Sequence, residues 1–374
     1  MAKAQVTGAA EQDQQAVFDL VALGFERASE TTGIIARDFL VAGLRLRLRF
    51  AGSALMPAIV PALAHLEVER AGDADFTIDL FDAASTRTPL PFLAARFVEL
   101  TRLRWWEVLQ GRREIKGLNG ADIQSVFHLG PDILVLRDAP RRRGLYWVEQ
   151  AGSIPYYEKG YPLSVLLNWW LGSRQRLMVH AASIGTDVGG VLLTGRGGSG
   201  KSTTTLACMA AGLRIAGDDY AAIELGSGMV HSLYNTVKLK TRADVDRFPG
   251  LAERVSNLDR IGDGDDAEKA MVFLHEHYPE RLVRSLPVRA ILVPRIVDAV
   301  DTVIVPAPAT EAFKALAPST LFQLPGNAHA TFRALAQVVR DIPSYEIQLG
   351  RDIGAIPGVI SRFLDEGSNA SRAA

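Results

Sequence analysis

Between Leu44 and Phe50 the chain alternates without a break, apolar Leu44, Leu46, Leu48 and Phe50 on one side and Arg45, Arg47 and Arg49 on the other. A period of two predicts a half-buried strand, with the arginines on a solvated sheet face. Residues 76–80 alternate in the same way. Residues 54–66 predict a short helix interrupted by Pro57 and Pro61, since proline removes a backbone donor and crowds the preceding turn. From Phe92 to Gln110 the apolar positions recur at helical spacing, which places Trp105 and Trp106 in the core. Further strands are predicted at 123–129, 133–137 and 145–149. The run Arg141-Arg142-Arg143, held between Pro140 and Gly144, reads as an exposed turn. The first fifteen residues are small and polar and are expected to fray.

After Pro155 the pattern changes. Residues 162–176 open with proline at a helix-start position and carry an apolar stripe containing Trp169 and Trp170. Strands are predicted at 177–184, 190–194 and 213–217, with a glycine-rich loop and a helix between the last two. Farther on come a strand at 286–295 flanked by Arg289 and Arg295, an amphipathic helix at 327–340 and a strand at 345–349. This pattern divides the chain into a flexible segment 1–15, an α+β unit 16–155 and an α/β unit 156–374.

Composition narrows the class. The 374 residues are 48% hydrophobic with a formal net charge of −1, so the chain is expected to be globular, with no field that selects nucleic acid or an anionic membrane. Cys208 is the single cysteine, which excludes an intrachain disulfide and is expected to fill core space. No N-terminal signal pattern and no run of membrane-spanning length occur, so a cytoplasmic location is expected.

The chemistry concentrates in Gly195-Arg-Gly-Gly-Ser-Gly-Lys201-Ser202, a full match to G-x-x-x-x-G-K-[ST] between an apolar strand and a helix. In such a loop the glycines let backbone N–H groups converge on phosphate, and the helix points its positive end at the same oxygens. Gly195, Gly197, Gly198, Ser199, Gly200, Lys201, Ser202 and Thr203 are therefore candidates to bind ATP, with Lys201 reaching the β and γ phosphates and Ser202 ligating Mg²⁺. Seventeen residues after Lys201, the predicted strand 213–217 ends in Asp218-Asp219. Two carboxylates there can hold the metal or its water and accept a proton from an attacking hydroxyl, and spacing alone does not say which does which.

With its Asp pair directly after the loop helix, residues 179–220 resemble the catalytic core of HPr kinase/phosphorylase, related in fold to the phosphoenolpyruvate carboxykinases. His180, fifteen residues before Gly195, matches the family's histidine at the end of the preceding strand. The resemblance implies a mixed-sheet catalytic domain over 156–374 and a smaller accessory or substrate-recognition domain before it. It also implies an ATP- and Mg²⁺-dependent kinase with His180, Lys201, Asp218 and Asp219 as catalytic residues and Ser202, Asp218 and Asp219 around the metal. The family's E-x-R-G-x-G string is missing, and Tyr234 to Asp244 stands there instead, with Lys238 and Lys240 two apart. That departure points away from HPr as acceptor and toward the branch of HPr-kinase-like enzymes that includes the lasso-peptide kinases, with a serine of a protein or peptide as acceptor. The family's assemblies are oligomeric, so a homo-oligomer is open to this chain. Two other readings stand beside this one: a nucleotide-sensing regulator without phosphotransfer, and a kinase of a small-molecule hydroxyl. Lys238 and Lys240 either face phosphate or form a solvated edge. Arg289 and Arg295 are candidates to stabilise a transferred phosphoryl, and the acidic stretch 262–266 is expected to be a mobile loop.

Overall fold

The computed structural model describes residues 2–89, 104–262 and 268–372. They form a mixed α/β structure dominated by two large mixed sheets. By backbone contacts the chain divides into two compact units, Met1–Pro61 with Glu67–Trp170 and Leu324–Gly326, and Ala62–Leu66 with Leu171–Gln323 and Asn327–Ala374.

The first unit contains β1 (Ile34–Val41), β2 (Leu44–Ala51), β3 (Glu67–Val68), β4 (Phe76–Asp82), β5 (Leu109–Gln110), β6 (Glu114–Ile115), β7 (Ile123–His128), β8 (Ile133–Asp138) and β9 (Arg143–Val148). They form one nine-stranded sheet in the order β3-β1-β2-β4-β9-β8-β7-β6-β5. The β2–β4 and β4–β9 pairs are parallel, and the remaining neighbours are antiparallel. Ala42 and Gly43, both at positive φ, close the β1–β2 hairpin in the two-residue geometry whose twist matches the strands. Helix α1 (Ala2–Thr32) includes residues 2–15 of the polar segment that composition reads as frayed. Its Phe18, Val21, Phe25 and Ala28 recur at helical spacing, are fully buried, and pack with Phe81, Leu145 and Trp147.

Two expectations change here. The β2 arginines are not a freely solvated face. Arg47 lies opposite Asp38 on β1 and grips it with Nε and Nη2 at 2.8 and 2.9 Å; Arg49 lies opposite Asp79 on β4, at 2.5 and 2.8 Å. Both carboxylates are almost completely buried, and the guanidinium forks supply the hydrogen bonds that burial removes from water. Arg143, within the expected turn, instead begins β9 and donates to the same Asp79 at 2.6 Å. The tryptophan pair is also displaced: residues 104–108 are helical, but Trp105 and Trp106 are exposed and pack edge-to-face on each other. The helix predicted from Phe92 lies outside the described residues as far as 103.

The second unit is built on β10 (Arg176–Val179), β11 (Ala181–Thr186), β12 (Gly189–Thr194), β13 (Arg214–Gly217), β14 (Ala221–Glu224), β15 (Met229–Ser232), β18 (Ser285–Ile296), β19 (Val303–Pro306) and β20 (Ser344–Leu349). The small ladder of β16 (Thr236–Leu239) and β17 (Ala270–Phe273) stands apart from that sheet. The main path runs β10-β14-β15-β18-β12-β11-β13, with β20 on β18 and β19 on β20. The predicted strand 177–184 divides at His180 because its two halves pair with different neighbours, β10 with β14 and β11 with β12 and β13.

Strand β12 explains why the sheet lies between two cores. All six of its residues are buried, and successive side chains point to opposite faces. Val191 and Leu193 join the core with Leu206, Cys208, Ile360 and Leu364; Leu192 joins the other, with Leu316, Leu335 and Val338. Cys208 is a buried free thiol in that first core, and burial pushes it up to about 12. Among the described residues no helix is long and apolar enough to cross a membrane. Leu192→Ala should destabilise the second unit by about 2–5 kcal/mol through lost packing and a residual cavity. Val303→Ala, at a half-exposed position, should change it by less than about 0.5 kcal/mol. Denaturant unfolding of both variants checks the contrast, and equal effects would contradict the two-core arrangement.

Candidate functional site

Strand order concentrates the candidate residues. β11 runs antiparallel to both of its neighbours, β12 and β13. Its first residue therefore lies beside the last residues of those strands, and Ala181 pairs with Thr194. His180 precedes β11, the glycine loop follows β12, and Asp218-Asp219 follows β13. Three segments separated in sequence thus emerge at one end of one sheet.

The loop between Thr194 and the helix Lys201–Ala210 is shaped by two left-handed glycines, Gly198 at φ 82° and Gly200 at φ 95°. A side chain at Gly200 would also meet Leu349 at 2.7 Å, whereas Gly197 and Gly198 face open space. Lys201 is buried and curls back over the loop, donating from Nζ to the carbonyls of Gly195 at 2.7 Å and Arg196 at 3.3 Å. Burial lowers its pKa, with the charges of Asp218 and Asp219 opposing that shift. Ser199 Oγ is buried in the loop with no hydrogen-bond partner among the described residues, while Arg196 is exposed.

The two aspartates have different surroundings. Ser202 Oγ donates to Asp218 Oδ2 at 2.7 Å. Thr205, one helical turn on and so on the same helix face, places its hydroxyl 2.7 Å from Asp218 Oδ1 and 3.0 Å from the Lys201 carbonyl. Burial, followed by the adjacent charge of Asp219, pushes the Asp218 carboxyl up to about 6. The Thr205 hydroxyl has one proton and two acceptors within reach.

Asp219 faces an imidazole and an amine instead. His180 Nε2 lies 3.4 Å from its Oδ1 and Lys238 Nζ 3.6 Å from its Oδ2. Burial opposes its charge, but the His180 hydrogen bond and the Lys238 ammonium outweigh it and hold the carboxyl below the usual range. Lys238 is in turn pushed down to about 8 by burial, against the pull of Asp219. The His180 ring lies 5.2 Å from that of Tyr220, whose hydroxyl donates to Gln323 Oε1 at 2.8 Å.

The structure thus brings together His180, Lys201, Ser202, Asp218 and Asp219, and Gly195 to Thr203 form the adjoining loop and helix start. Of the lysine pair, Lys238 reaches Asp219, while Lys240 lies beyond the end of β16 and is exposed. Arg289 does not reach this site: it donates to the Val188 carbonyl, just before β12 begins and so at the opposite end of that strand. Arg295 lies toward the loop end of β18 but is exposed, with its guanidinium 3.8 Å from Glu346. Most of the acidic stretch 262–266 lies outside the described residues. Sequence reasoning missed Thr205, although its i+3 spacing from Ser202 was a usable signal. It also missed Lys269, whose charge acts on Lys201, Asp219 and Lys238.

The raised Asp218 pKa gives a signed expectation. The folded chain holds this proton more tightly than the unfolded chain, so ionisation of Asp218 lowers stability as pH rises from about 4 to about 6. Carboxyl ¹³C NMR should show Asp218 titrating near pH 6, and Asp219→Asn should move that midpoint downward by removing a like charge. An unchanged midpoint in the variant would contradict the electrostatic coupling.

No protein-family model matches the sequence, and no curated protein matches it. Among solved structures, the chain is similar to that of the Hpr(Ser) kinase/phosphatase from Coxiella burnetii. The match has 11% identity, covers 53% of this chain and 99% of that chain, and has a TM-score of 0.29.

Proposed function

We propose that the second unit is an ATP- and Mg²⁺-dependent phosphotransferase acting on a hydroxyl, with a serine of a protein or peptide as the favoured acceptor. The observation that carries this reading is the convergence of a left-handed glycine loop, its lysine and serine, and two aspartates with opposite surroundings at one sheet end. A simple nucleotide-binding loop needs the first three; the differentiated carboxylates add the means for transfer.

The donor set suits a hard cation. Ser202 Oγ and Asp218 offer adjacent oxygen ligands, the usual chemistry for Mg²⁺, and the unpartnered Ser199 hydroxyl and open Gly197-Gly198 edge leave donors and space for phosphate oxygens. Bound Mg²⁺ would neutralise charge on the β and γ phosphates. Lys201 would exchange its two loop carbonyls for phosphate oxygens. Asp218 would join Ser202 around the cation as a carboxylate. Asp219, held between His180 and Lys238, would orient the acceptor hydroxyl and take its proton. A low basicity is compatible with that role, because phosphoryl transfer depends chiefly on in-line positioning and charge neutralisation.

Asp218→Asn/Asp219→Asn should lower transfer at least about 100-fold, the lower range for positioned acid–base catalysis, while ATP still binds. Lys201→Ala should instead weaken ATP binding itself. Transfer is followed with γ-labelled ATP against products of neighbouring genes, and binding by calorimetry. Undiminished transfer in the double variant would overturn the proposed roles. Tight ATP binding with no acceptor labelled in the wild type would favour a nucleotide sensor.

A further inference from the structure

The first unit carries a second concentration of charge, independent of the glycine loop. An open concavity of about 360 Å³ is lined by six arginines, Arg47, Arg49, Arg70, Arg141, Arg142 and Arg143, together with Thr77. No acidic side chain is among the lining residues. We propose that this concavity binds a small ligand carrying a phosphate or diphosphate group.

The inner arginines are preorganised. Asp38 holds Arg47, and Asp79 holds both Arg49 and Arg143 through hydrogen bonds of 2.5–2.9 Å. Glu26 adds a contact to Arg143 at 2.9 Å, and Asp19 and Asp138 hold Arg141. Each guanidinium carries five N–H donors, so a fork that spends two or three on its anchoring carboxylate keeps others for a ligand. Fixing the side chains in advance also reduces the rotamer entropy lost on binding.

The outer two arginines are different. Arg70 and Arg142 are exposed and have no ion-pair partner among the described residues. Arg142 stands at φ 52°, in the left-handed region that a long side chain seldom adopts, in the β8–β9 connection. That turn leaves Arg142 between Arg141 and Arg143 on the wall of the concavity. Two exposed guanidinia lining the same concavity as the anchored ones match an anion with more than one charge and several oxygens, the chemistry for which Arg forks are most selective.

The extent of the surface argues for a small ligand. The adjoining hollow is lined by Arg37 and Arg70 but also by Asp38, Glu67 and Glu69, so the charge there is mixed and does not continue as an all-positive track. No aromatic side chain lines the concavity to stack a base, and the whole chain has a net charge of −1. Both features disfavour nucleic acid.

The test uses the full chain carrying Lys201→Ala, so that binding at the glycine loop is suppressed. Calorimetry with inorganic phosphate, pyrophosphate and phenyl phosphate should detect binding, and adding Arg70→Ala/Arg142→Asn should weaken it at least tenfold. Asparagine is chosen at 142 because it tolerates a positive φ. Tighter binding of phenyl phosphate than of inorganic phosphate would assign the site to a phosphorylated small molecule, and the reverse to the free anion; either result supports the phosphate chemistry. Binding of none of the three probes, or equal affinity with and without the two arginines, would overturn the proposal. So would stronger binding of a single-stranded oligonucleotide that is lost in the same variant. As a measurement that needs no variant at these arginines, pyrophosphate should protect Arg70 and Arg142 from phenylglyoxal in peptide mapping; unprotected modification at both would contradict the site.

Discussion

The candidate site depends on one constraint, the placement of β11 antiparallel between β12 and β13. Antiparallel pairing puts the beginning of one strand beside the ends of its neighbours. His180, the glycine loop and the aspartate pair therefore meet without any long connection folding back to carry them. The two cores on either side of β12 hold that register, because slipping one residue would exchange Val191 and Leu193 with Leu192 between faces. The chemistry at the strand ends is thus fixed by apolar packing in the strand interiors.

Buried carboxylates are treated in two contrasting ways. Asp38 receives the Arg47 fork, which outweighs burial and lowers its pKa. Asp218 receives hydroxyls from Ser202 and Thr205, which are weaker compensation for burial beside another carboxylate, and its pKa rises. The first arrangement keeps a charge in place and makes a rigid strut across β1 and β2. The second leaves a carboxyl whose charge responds to a cation brought near it. Asp219 lies nearer the first kind, with a hydrogen bond to His180 and the Lys238 ammonium beside it. Adjacent, chemically identical residues thereby become unequal, which a site using one for metal and the other for a hydroxyl requires.

Much of this was legible where local rules and tertiary structure agree. The G-x-x-x-x-G-K-S string lies between a buried strand and a helix, and the strand carrying the aspartate pair follows that helix directly. The helix at 327–340 is recovered as Ala328–Asp341, its start set by the Asn327 side chain accepting from the Ala330 N–H. What remained hidden depended on partners distant in sequence. The β2 alternation correctly predicts a strand, but periodicity cannot say that Asp38 and Asp79 lie opposite its arginines. A lone aspartate inside an apolar strand, as in Phe76-Thr-Ile-Asp-Leu, was the available clue. Trp105 and Trp106 fail for a related reason, because residue type suggests burial while exposure depends on which element packs nearby.

Lys238 shows how far spacing alone can carry an argument. Lys238 and Lys240 are two apart, so an extended strand would place both on one face. β16 ends at Leu239, however, and only Lys238 lies within the ladder to β17, opposite Met271. That ladder is tied further by Asn257, which donates to the Lys269 carbonyl and accepts from the Met271 N–H, both at 2.9 Å. The buried amine is therefore positioned by backbone pairing, not by its attraction to Asp219. An ammonium held that way costs desolvation free energy, visible in its lowered pKa, and the nearby carboxylate offsets only part of it. A further anion beside it would stabilise its charge, as the proposed phosphoryl transfer would supply.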